Sequence, residues 1–212
     1  MILAVVAAIG IGYLSGSLPW GLWLGRWFRG VDVRTLGSGN LGATNVYRSL
    51  GPTLGIVTLL LDVGKGAAPV WLVPTLPVTR AFPGGAEACA LAVGFAAVAG
   101  HVWTFLAGFR GGKGVATTAG VLLALSLPAF AAFLVVFVLT VAITRYISLG
   151  SMLGAIAFAV ALAFVSPGRL RSPTFGFGVL LALMVVWRHR DNLRRLAHGE
   201  ERRFALKRGG SA

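Results

Sequence analysis

Three short polar stretches interrupt a sequence that is otherwise strongly apolar, and their side chains are of the kinds that bind phosphate groups. The first stretch, residues 37–48, combines glycines, hydroxyls and amides and ends in an arginine. Glycine lets the backbone turn at positive φ, and successive backbone N–H groups in such turns attract anions. An arginine adds a planar cation that can hold a phosphate through two nitrogens. The stretch therefore predicts a phosphate-binding loop with the candidate residues Gly37, Ser38, Gly39, Asn40, Gly42, Thr44, Asn45 and Arg48.

The same stretch admits two other interpretations. Its glycines match the G-x-G-x-x-G pattern of dinucleotide-binding proteins, but that pattern requires a preceding buried strand in a βαβ unit. The preceding residues include Arg26, Trp27 and Arg29 rather than an apolar strand, so we reject dinucleotide binding. A flexible turn between helices, which glycine also favours, stays open on the sequence of this loop alone.

The second stretch, residues 100–117, places two cations among glycines, which again suits close approach to an anion. It is not a P-loop, because that motif ends in glycine, lysine and a hydroxyl residue, whereas Lys113 is followed by Gly114. Anchoring to lipid headgroups is the alternative for the cations, and a structural hydrogen bond is the alternative for the histidine. The candidate residues are His101, Arg110, Gly111, Gly112, Lys113 and Gly114.

The third stretch, residues 188–201, follows the last apolar segment. At helical spacing its polar donors repeat on one face, and the residues on or beside that face are Arg188, His189, Asn192, Arg195 and Gly199. A basic tail at the inner membrane surface is the alternative interpretation. The candidate site residues are His189, Asn192, Arg195 and Glu201, to which Ser148 and Ser151 add hydroxyls from an earlier loop.

An acid and a base, Asp62 and Lys65, lie three residues apart within a long apolar segment. Ionisable groups inside a membrane are costly and are usually paired or functional. Because this spacing puts both on one face of a helix, the sequence predicts that they form a buried ion pair.

The composition is that of a membrane protein. Only 12% of the 212 residues are charged and 57% are hydrophobic, with a mean hydropathy of +0.84, whereas a soluble domain has about 25% charged residues. Apolar segments of about 20 residues recur along the chain. We therefore predict an all-α integral membrane protein with one domain over residues 1–212. The candidate spans are 2–25, 53–76, 86–107, 115–127, 129–144, 148–166 and 174–190.

Charge placement favours seven transmembrane helices, with five as the alternative. Basic residues follow the first, third and last spans, and cytoplasmic loops are enriched in such residues. This places the N-terminus outside and the C-terminus, with a basic tail that includes Lys207 and Arg208, in the cytoplasm. An odd number of spans is then required, and a break in 115–144 near residues 126–128 gives seven. All three polar stretches then face the cytoplasm.

The net charge of +13 is scattered over short loops, so anionic lipid or an anionic substrate explains it better than nucleic acid. The single cysteine, Cys89, lies in an apolar run, and the chain has no H-E-x-x-H, paired-carboxylate or G-x-S-x-G motif. We expect no nucleic-acid partner, no cofactor and no metal. The oligomeric state stays open, and a monomer is compatible with the sequence.

Together the three stretches resemble the motifs of the bacterial acyl-phosphate:glycerol-3-phosphate acyltransferase family, often called PlsY. The family's G-S-G-N-x-G-A-T-N-x-x-R loop is matched at 37–48. Its G-H and F-[KR]-G-G-K-G-V-A-T elements are matched within 100–117, and its H-x-x-N-[IL]-x-R-L-x-x-G-x-E motif at 189–201. Two positions depart from the usual pattern: Thr104 stands in place of a proline and Glu200 in place of a threonine. The D-x-x-K-G and R-Y-x-S-L-x-S patterns are also present, at 62–66 and 145–151.

The resemblance implies an enzyme of phospholipid biosynthesis in the bacterial inner membrane, with its active site facing the cytoplasm. It would transfer a fatty acyl group from acyl phosphate to the sn-1 hydroxyl of glycerol 3-phosphate, giving lysophosphatidic acid and phosphate. We assign catalytic roles to residues that would bind the two substrate phosphates. These residues are Ser38, Arg48, Lys113, His189 and Asn192. Since acyl phosphate is already activated, a substrate phosphate can take the hydroxyl proton. His189 as a general base is the rival assignment.

A transporter of glycerol 3-phosphate or of other phosphate-type anions is the alternative function, because cations that line a membrane cavity also serve permeation. The sequence favours the enzyme over this alternative. The predicted topology puts the polar clusters at one membrane face, and the chain shows no inverted repeat of the kind found in many transporters.

Overall fold

The structure, a computed structural model, describes residues 1–204, and within that range the regular elements are helices. The predicted tail cations Lys207 and Arg208 lie outside the described residues. The chain divides into two units, one of residues 1–125 and one that begins at Ser126. Among the described residues, five helical segments are long and apolar enough to cross a membrane, namely Ile2–Arg29, Pro52–Thr75, Gly85–Ala107, Leu127–Thr144 and Ile147–Val165.

Two of the predicted spans form shorter apolar helices. Residues 115–127 contain the helix Val115–Leu125, and residues 174–190 contain the helix Pro173–Arg188. A helix rises about 1.5 Å per residue, so these two are short for a hydrocarbon core of about 30 Å. The all-helical membrane fold is confirmed, whereas the choice between seven and five spans and the orientation of the termini stay predictions.

The first unit contains six α-helices: α1 (Ile2–Ser17), α2 (Trp20–Arg29), α3 (Ala43–Leu50), α4 (Pro52–Leu72), α5 (Gly85–Val102) and α6 (Val115–Leu125). The sequence predicts a single span over residues 2–25, but the helix is interrupted at Leu18 and Pro19. Proline has no N–H to donate and its ring clashes with the preceding turn. The interruption leaves carbonyl groups at the end of α1 that other parts of the unit must satisfy.

Glycine allows the helices of this unit to approach each other closely. A Cβ added to Gly16 of α1 would collide with the backbone of Ala97 in α5, and one added to Gly66 of α4 would collide with Thr117 in α6. Small residues are the usual contact points between membrane helices, because packing and hydrogen bonds hold the helices together where lipid is as apolar as the side chains.

The second unit contains α7 (Leu127–Thr144), α8 (Ile147–Val165), α9 (Pro173–Arg188) and α10 (Arg190–Ala197). The predicted break near residues 126–128 is confirmed, because α6 ends at Leu125 and Ser126 caps α7 by accepting a hydrogen bond from the Ala129 N–H. Small and β-branched side chains pack α8 against α9, and this cluster consists of Ala155, Ala159, Ala182 and Val185.

Candidate substrate-binding site

The loop over residues 37–48 is held in shape by the side chain of Asn45, which is 5% exposed. Its Oδ1 accepts a hydrogen bond from the Ser38 N–H at 2.9 Å. Its Nδ2 lies within hydrogen-bond distance of three carbonyls, those of Val33 (3.2 Å), Leu36 (3.1 Å) and Asn40 (2.9 Å). Four polar contacts from one buried amide make this a defined turn, and the flexible-turn interpretation does not apply.

Gly37 and Asn40 complete the turn. Gly37 has a φ of +60°, and a Cβ at this position would collide with Oδ1 of Asn45. Asn40 Oδ1 accepts a hydrogen bond of 2.8 Å from the Gly42 N–H, and Gly42 is the N-cap residue of α3. The two amides that the sequence assigns to substrate thus hold the loop's own backbone.

The side chains with the capacity to bind an anion lie around this turn. Ser38 is exposed, Thr44 lies half-buried in the first turn of α3, and Arg48 lies half-buried in its last turn. The N-terminus of a helix presents backbone N–H groups and a partial positive charge. A phosphate beside this turn would therefore meet helix N–H groups and a hydroxyl, and Arg48 lies one turn further along the same helix face as Thr44.

Asp32 and Arg34, which the sequence does not single out, fix the approach to this loop. Arg34 contacts the Asp32 carboxylate through its backbone N–H at 3.0 Å and through its Nη2 at 2.6 Å, and Arg26 adds a further contact at 3.0 Å. The hydrogen bonds from Arg34 lower the pKa of Asp32 well below its ordinary value. An Asp two residues before an Arg, ahead of a short turn, is the local signal that points to this arrangement.

In the second stretch, two predicted N–H donors are already bonded within the protein. Gly111 donates to the Val102 carbonyl at 3.1 Å and Gly112 donates to the His101 carbonyl at 3.2 Å. A Cβ at either glycine would collide with His101, through its carbonyl for Gly111 and its ring for Gly112. These glycines fold the chain tightly back on the end of α5, which sets the position of Lys113.

The cations of this stretch differ in their surroundings. Arg110 is exposed and follows Phe109, whose φ is +59°. Lys113 is half-buried and is followed by Gly114, whose φ of +83° turns the chain into α6. Glycine adopts this conformation without steric cost.

The predicted ion pair is confirmed: Lys65 Nζ lies 2.7 Å from Asp62 Oδ1, and both side chains are buried. His101, at the end of α5, places its Nδ1 3.7 Å from the same carboxylate oxygen. Thr104, the residue that departs from the family pattern, donates a hydrogen bond of 2.5 Å to the Ser17 carbonyl at the end of α1. The sequence does not indicate this contact between residues far apart in the chain.

The first two stretches lie against each other within the first unit. Ala107, from the second stretch, packs in one apolar cluster with Leu41 and Val46 of the first. Arg34 also donates from Nη1 to the Ala107 carbonyl at 3.3 Å. The structure therefore brings together two motifs that are separated by more than fifty residues in the sequence.

In the second unit, Glu201 gathers three of the predicted site residues. Its Oε1 accepts hydrogen bonds from Ser148 Oγ at 2.7 Å and from Asn192 Nδ2 at 2.6 Å, and its Oε2 accepts one from Arg195 Nε at 2.8 Å. The Glu201 side chain is 7% exposed. This carboxylate joins the first turn of α8, the short helix α10 and the segment that follows it.

Burial alone would raise the pKa of Glu201, but the hydrogen bonds from Ser148, Asn192 and Arg195 outweigh it, so the pKa is lowered. Glu201 is therefore a carboxylate at neutral pH, and as a carboxylate it can only accept hydrogen bonds. It fixes its donors and presents no donor of its own to an anion.

His189 lies at a break between helices rather than within one helix. The sequence predicts one continuous face over residues 188–199, but α9 ends at Arg188 and α10 begins at Arg190. The buried ring of His189 places Nδ1 2.8 Å from the Val185 carbonyl. Because a carbonyl only accepts, Nδ1 carries the proton, and in the neutral ring Nε2 carries the lone pair.

The remaining predicted residues of this unit have local contacts. Ser151 is buried and donates to the Ile147 carbonyl of its own helix at 2.8 Å. Asn192 and Arg195 share the α10 face that meets Glu201, as their spacing predicts, whereas Gly199 follows the end of that helix with a φ of +73°.

Comparison with known proteins identifies the family. The profile of the glycerol-3-phosphate acyltransferase family matches residues 6–199. The chain belongs to the glycerol-3-phosphate acyltransferase family. It is 47% identical over 194 residues to the glycerol-3-phosphate acyltransferase of Geobacter sulfurreducens, covering 92% of this chain and 94% of the relative. It is 48% identical over 198 residues to that of Myxococcus xanthus, covering 93% and 98%.

Two crystal structures of a glycerol-3-phosphate acyltransferase share this fold. Both are of PlsY, an integral membrane member of the family, one in its glycerol 3-phosphate form and one in its lysophosphatidic acid form. The first superposes with a TM-score of 0.82 at 32% identity, over 95% of this chain and 96% of the other. The second gives 0.80 at 31% identity, over 95% of each chain. The family resemblance seen in the three motifs is confirmed.

Proposed function

We propose that this acyltransferase takes its acyl group from an acyl phosphate and works at the cytoplasmic face of the bacterial inner membrane. It transfers the acyl group to the sn-1 hydroxyl of glycerol 3-phosphate and releases lysophosphatidic acid and phosphate. The observation that carries the acyl transfer is the family match over residues 6–199, together with the glycerol 3-phosphate and lysophosphatidic acid forms of the structural relative. The motif resemblance and the charge distribution support the assignments of acyl phosphate as the donor, of the inner membrane and of its cytoplasmic face.

In the first unit we assign phosphate binding to Ser38, Arg48 and Lys113. The hydroxyl of Ser38 is exposed beside the N-terminus of α3, and the two cations are half-buried. Partial burial lowers the local dielectric and strengthens the attraction between a cation and a phosphate. Contacts within the protein from the side chains of Asn40 and Asn45 and from the N–H groups of Gly111 and Gly112 then shape the site.

In the second unit we assign substrate contact to His189 and Asn192. The Glu201 carboxylate accepts a hydrogen bond from the Asn192 amide and so orients this side chain. The Val185 carbonyl orients the His189 ring. Ser148, Arg195 and Glu201 act as supports that hold these two groups in one geometry, which is what a preorganised site requires.

The chemistry then needs positioning and electrostatic stabilisation more than a strong base. The glycerol hydroxyl attacks the acyl carbon of a mixed anhydride, a C–O bond forms, and the C–O bond to phosphate breaks. Cations on the departing phosphate and donors on the developing oxyanion lower the barrier, and alignment of the two substrates supplies a further part. The hydroxyl proton passes to a substrate phosphate.

The direct test of this proposal is a comparison of donors. Purified protein in detergent is incubated with glycerol 3-phosphate and either palmitoyl phosphate or palmitoyl coenzyme A, and lysophosphatidic acid is measured by mass spectrometry. Product from palmitoyl phosphate alone is the expected result. Product from the coenzyme A thioester alone would overturn the donor assignment. Folded protein that forms no product from either donor but moves glycerol 3-phosphate across liposomes would establish the transporter.

A further inference from the structure

A buried charged cluster in the first unit takes no part in the chemistry proposed above. Asp62 and Lys65 are only 1% and 6% exposed. Moving two charges out of water costs several kcal/mol, and an apolar pair of similar size is often as stable as a buried ion pair. Stability alone therefore does not account for these charges. Buried polar groups can instead select one packing arrangement among several that apolar contacts alone would allow. The neighbours of the ion pair show which arrangement it selects.

Lys65 connects the pair to the interruption between α1 and α2. Its Nζ donates a hydrogen bond of 2.7 Å to the Leu18 carbonyl. Pro19 interrupts the helix here, and the same carbonyl also accepts from the Trp20 N–H at 3.1 Å. The neighbouring carbonyl, that of Ser17, accepts from Thr104. The free end of α1 is thus fixed both to α4 and to the second stretch.

Asp62 connects the pair to His101. One ring nitrogen of His101, Nδ1, lies 3.7 Å from Asp62 Oδ1. The other, Nε2, lies so close to Gly112 that a Cβ there would collide with it. The His101 carbonyl also accepts the Gly112 N–H. The imidazole therefore lies between a buried carboxylate and the residue that precedes Lys113.

A small cavity adjoins the cluster. Its lining includes Leu18, Asp62, Lys65, His101, Thr104 and Gly112. All these residues come from the first unit, and each takes part in one of the contacts described above. The His101 ring lines this cavity together with the ion pair.

We propose that Asp62, Lys65 and His101 are positioning residues that set the place of the Lys113 ammonium at the substrate phosphate. The inference rests on the proposed role of Lys113 in the acyltransferase. Loss of the cluster lets the His101 ring and the Gly112 backbone move, and Lys113 moves with them. A displacement of about 1 Å in a positioned group can cost about a hundredfold in rate. A purely structural ion pair would instead affect stability and leave the contribution of Lys113 to the rate unchanged.

A double-mutant cycle with Lys113 tests this. The first variant, Asp62→Asn with Lys65→Gln, removes both charges together and leaves no lone charge in the membrane. The second variant, His101→Asn, tests the imidazole independently. The control, Thr79→Ala, removes a buried hydroxyl that donates to the Val73 carbonyl of the same unit, apart from the second stretch. Each change is made in the parent and in Lys113→Ala, and kcat/KM and Tm are measured.

We expect each cluster variant to lower kcat/KM about tenfold in the parent but less than about twofold in Lys113→Ala, because residues that act through one group are not additive. The Thr79→Ala change should have the same small effect in both backgrounds. Equal losses in both backgrounds for either folded cluster variant, or parental kcat/KM, would overturn the inference. Failure of the parent itself to form lysophosphatidic acid would count against the proposed function instead.

Discussion

Asn192 and Glu201 are joined by a hydrogen bond of 2.6 Å between the amide Nδ2 and the carboxylate Oε1. The same carboxylate binds Ser148 and Arg195, so one acidic side chain fixes three polar ones. A carboxylate repels a phosphate, and its place among residues assigned to anion binding is explained by the donors that it orients.

Replacing Glu201 with Gln removes the charge but keeps the size of the side chain. An amide cannot accept hydrogen bonds from all three donors at once, so at least one donor loses its acceptor, at a cost of about 1–3 kcal/mol of stability where that donor is buried. We expect a lower Tm and a loss of about tenfold in kcat, since Asn192 is no longer held. Glu200→Gln, at the exposed neighbouring position, is the control. Parental activity and Tm in E201Q would contradict this role.

The pH dependence of stability follows from the same group. The pKa of Glu201 is lower in the folded protein than its ordinary value of 4.5. Ionised Glu201 therefore stabilises the folded protein. This contribution is fully present above the pKa of the group in the unfolded state and is lost as the pH falls through its pKa in the folded state. We expect Tm to fall with acidification below pH 4.5, and to fall less steeply in E201Q. Thermal unfolding of both proteins over a pH series measures this, and equal slopes would count against it.

A comparison of two glycines with similar positive φ values distinguishes the effect of backbone strain from that of a steric clash. Gly30 has a φ of +64° with open space around it, and Gly37 has a φ of +60° with Asn45 against it. In both G30A and G37A an alanine at positive φ costs about 1–2 kcal/mol. Only G37A also displaces the amide that holds the loop, so only G37A should lose activity, by about tenfold or more. The two variants are compared by Tm and kcat/KM, and equal activities would argue against a rigid loop.

The pH–rate profile of the His189→Gln variant distinguishes phosphate binding by His189 from general-base catalysis. If its ring binds and orients phosphate while a substrate phosphate takes the proton, His189→Gln lowers kcat at every pH by a similar factor of about tenfold or more. A general base would behave differently, because its loss removes the limb of the profile that reports its own deprotonation. Selective loss of that limb in His189→Gln would establish the base.

The membrane fold and the ion pair could be predicted from the sequence because their causes are local. Long apolar segments have few folds open to them in lipid, and the spacing of Asp62 and Lys65 puts them on one helix face. The break at residues 126–128 follows instead from charge placement, because an odd number of spans requires the 115–144 segment to divide. The break at Pro19 was not predicted, because proline is tolerated inside many membrane helices and only its neighbours decide whether the helix continues.

The supporting contacts of the candidate site were beyond sequence reasoning because they join distant residues. Ser148 and Glu201 are separated by 53 positions, and Thr104 and Ser17 by 87. The composition of a loop indicates which groups it contains but not which of them the protein itself uses. Asn45, Gly111 and Gly112 look like ligand donors in the sequence, and tertiary contacts commit their polar groups to backbone partners.

We propose that this protein couples acyl phosphate cleavage to acylation of glycerol 3-phosphate through the donors of the polar stretches. The most direct test is to measure released phosphate and lysophosphatidic acid together, from palmitoyl phosphate and glycerol 3-phosphate without coenzyme A, for the parent, Ser38→Ala and Lys113→Ala. We expect equal amounts of the two products from the parent and a loss of about a hundredfold or more in the folded variants. Phosphate release without lysophosphatidic acid, or variants as active as the parent, would contradict it.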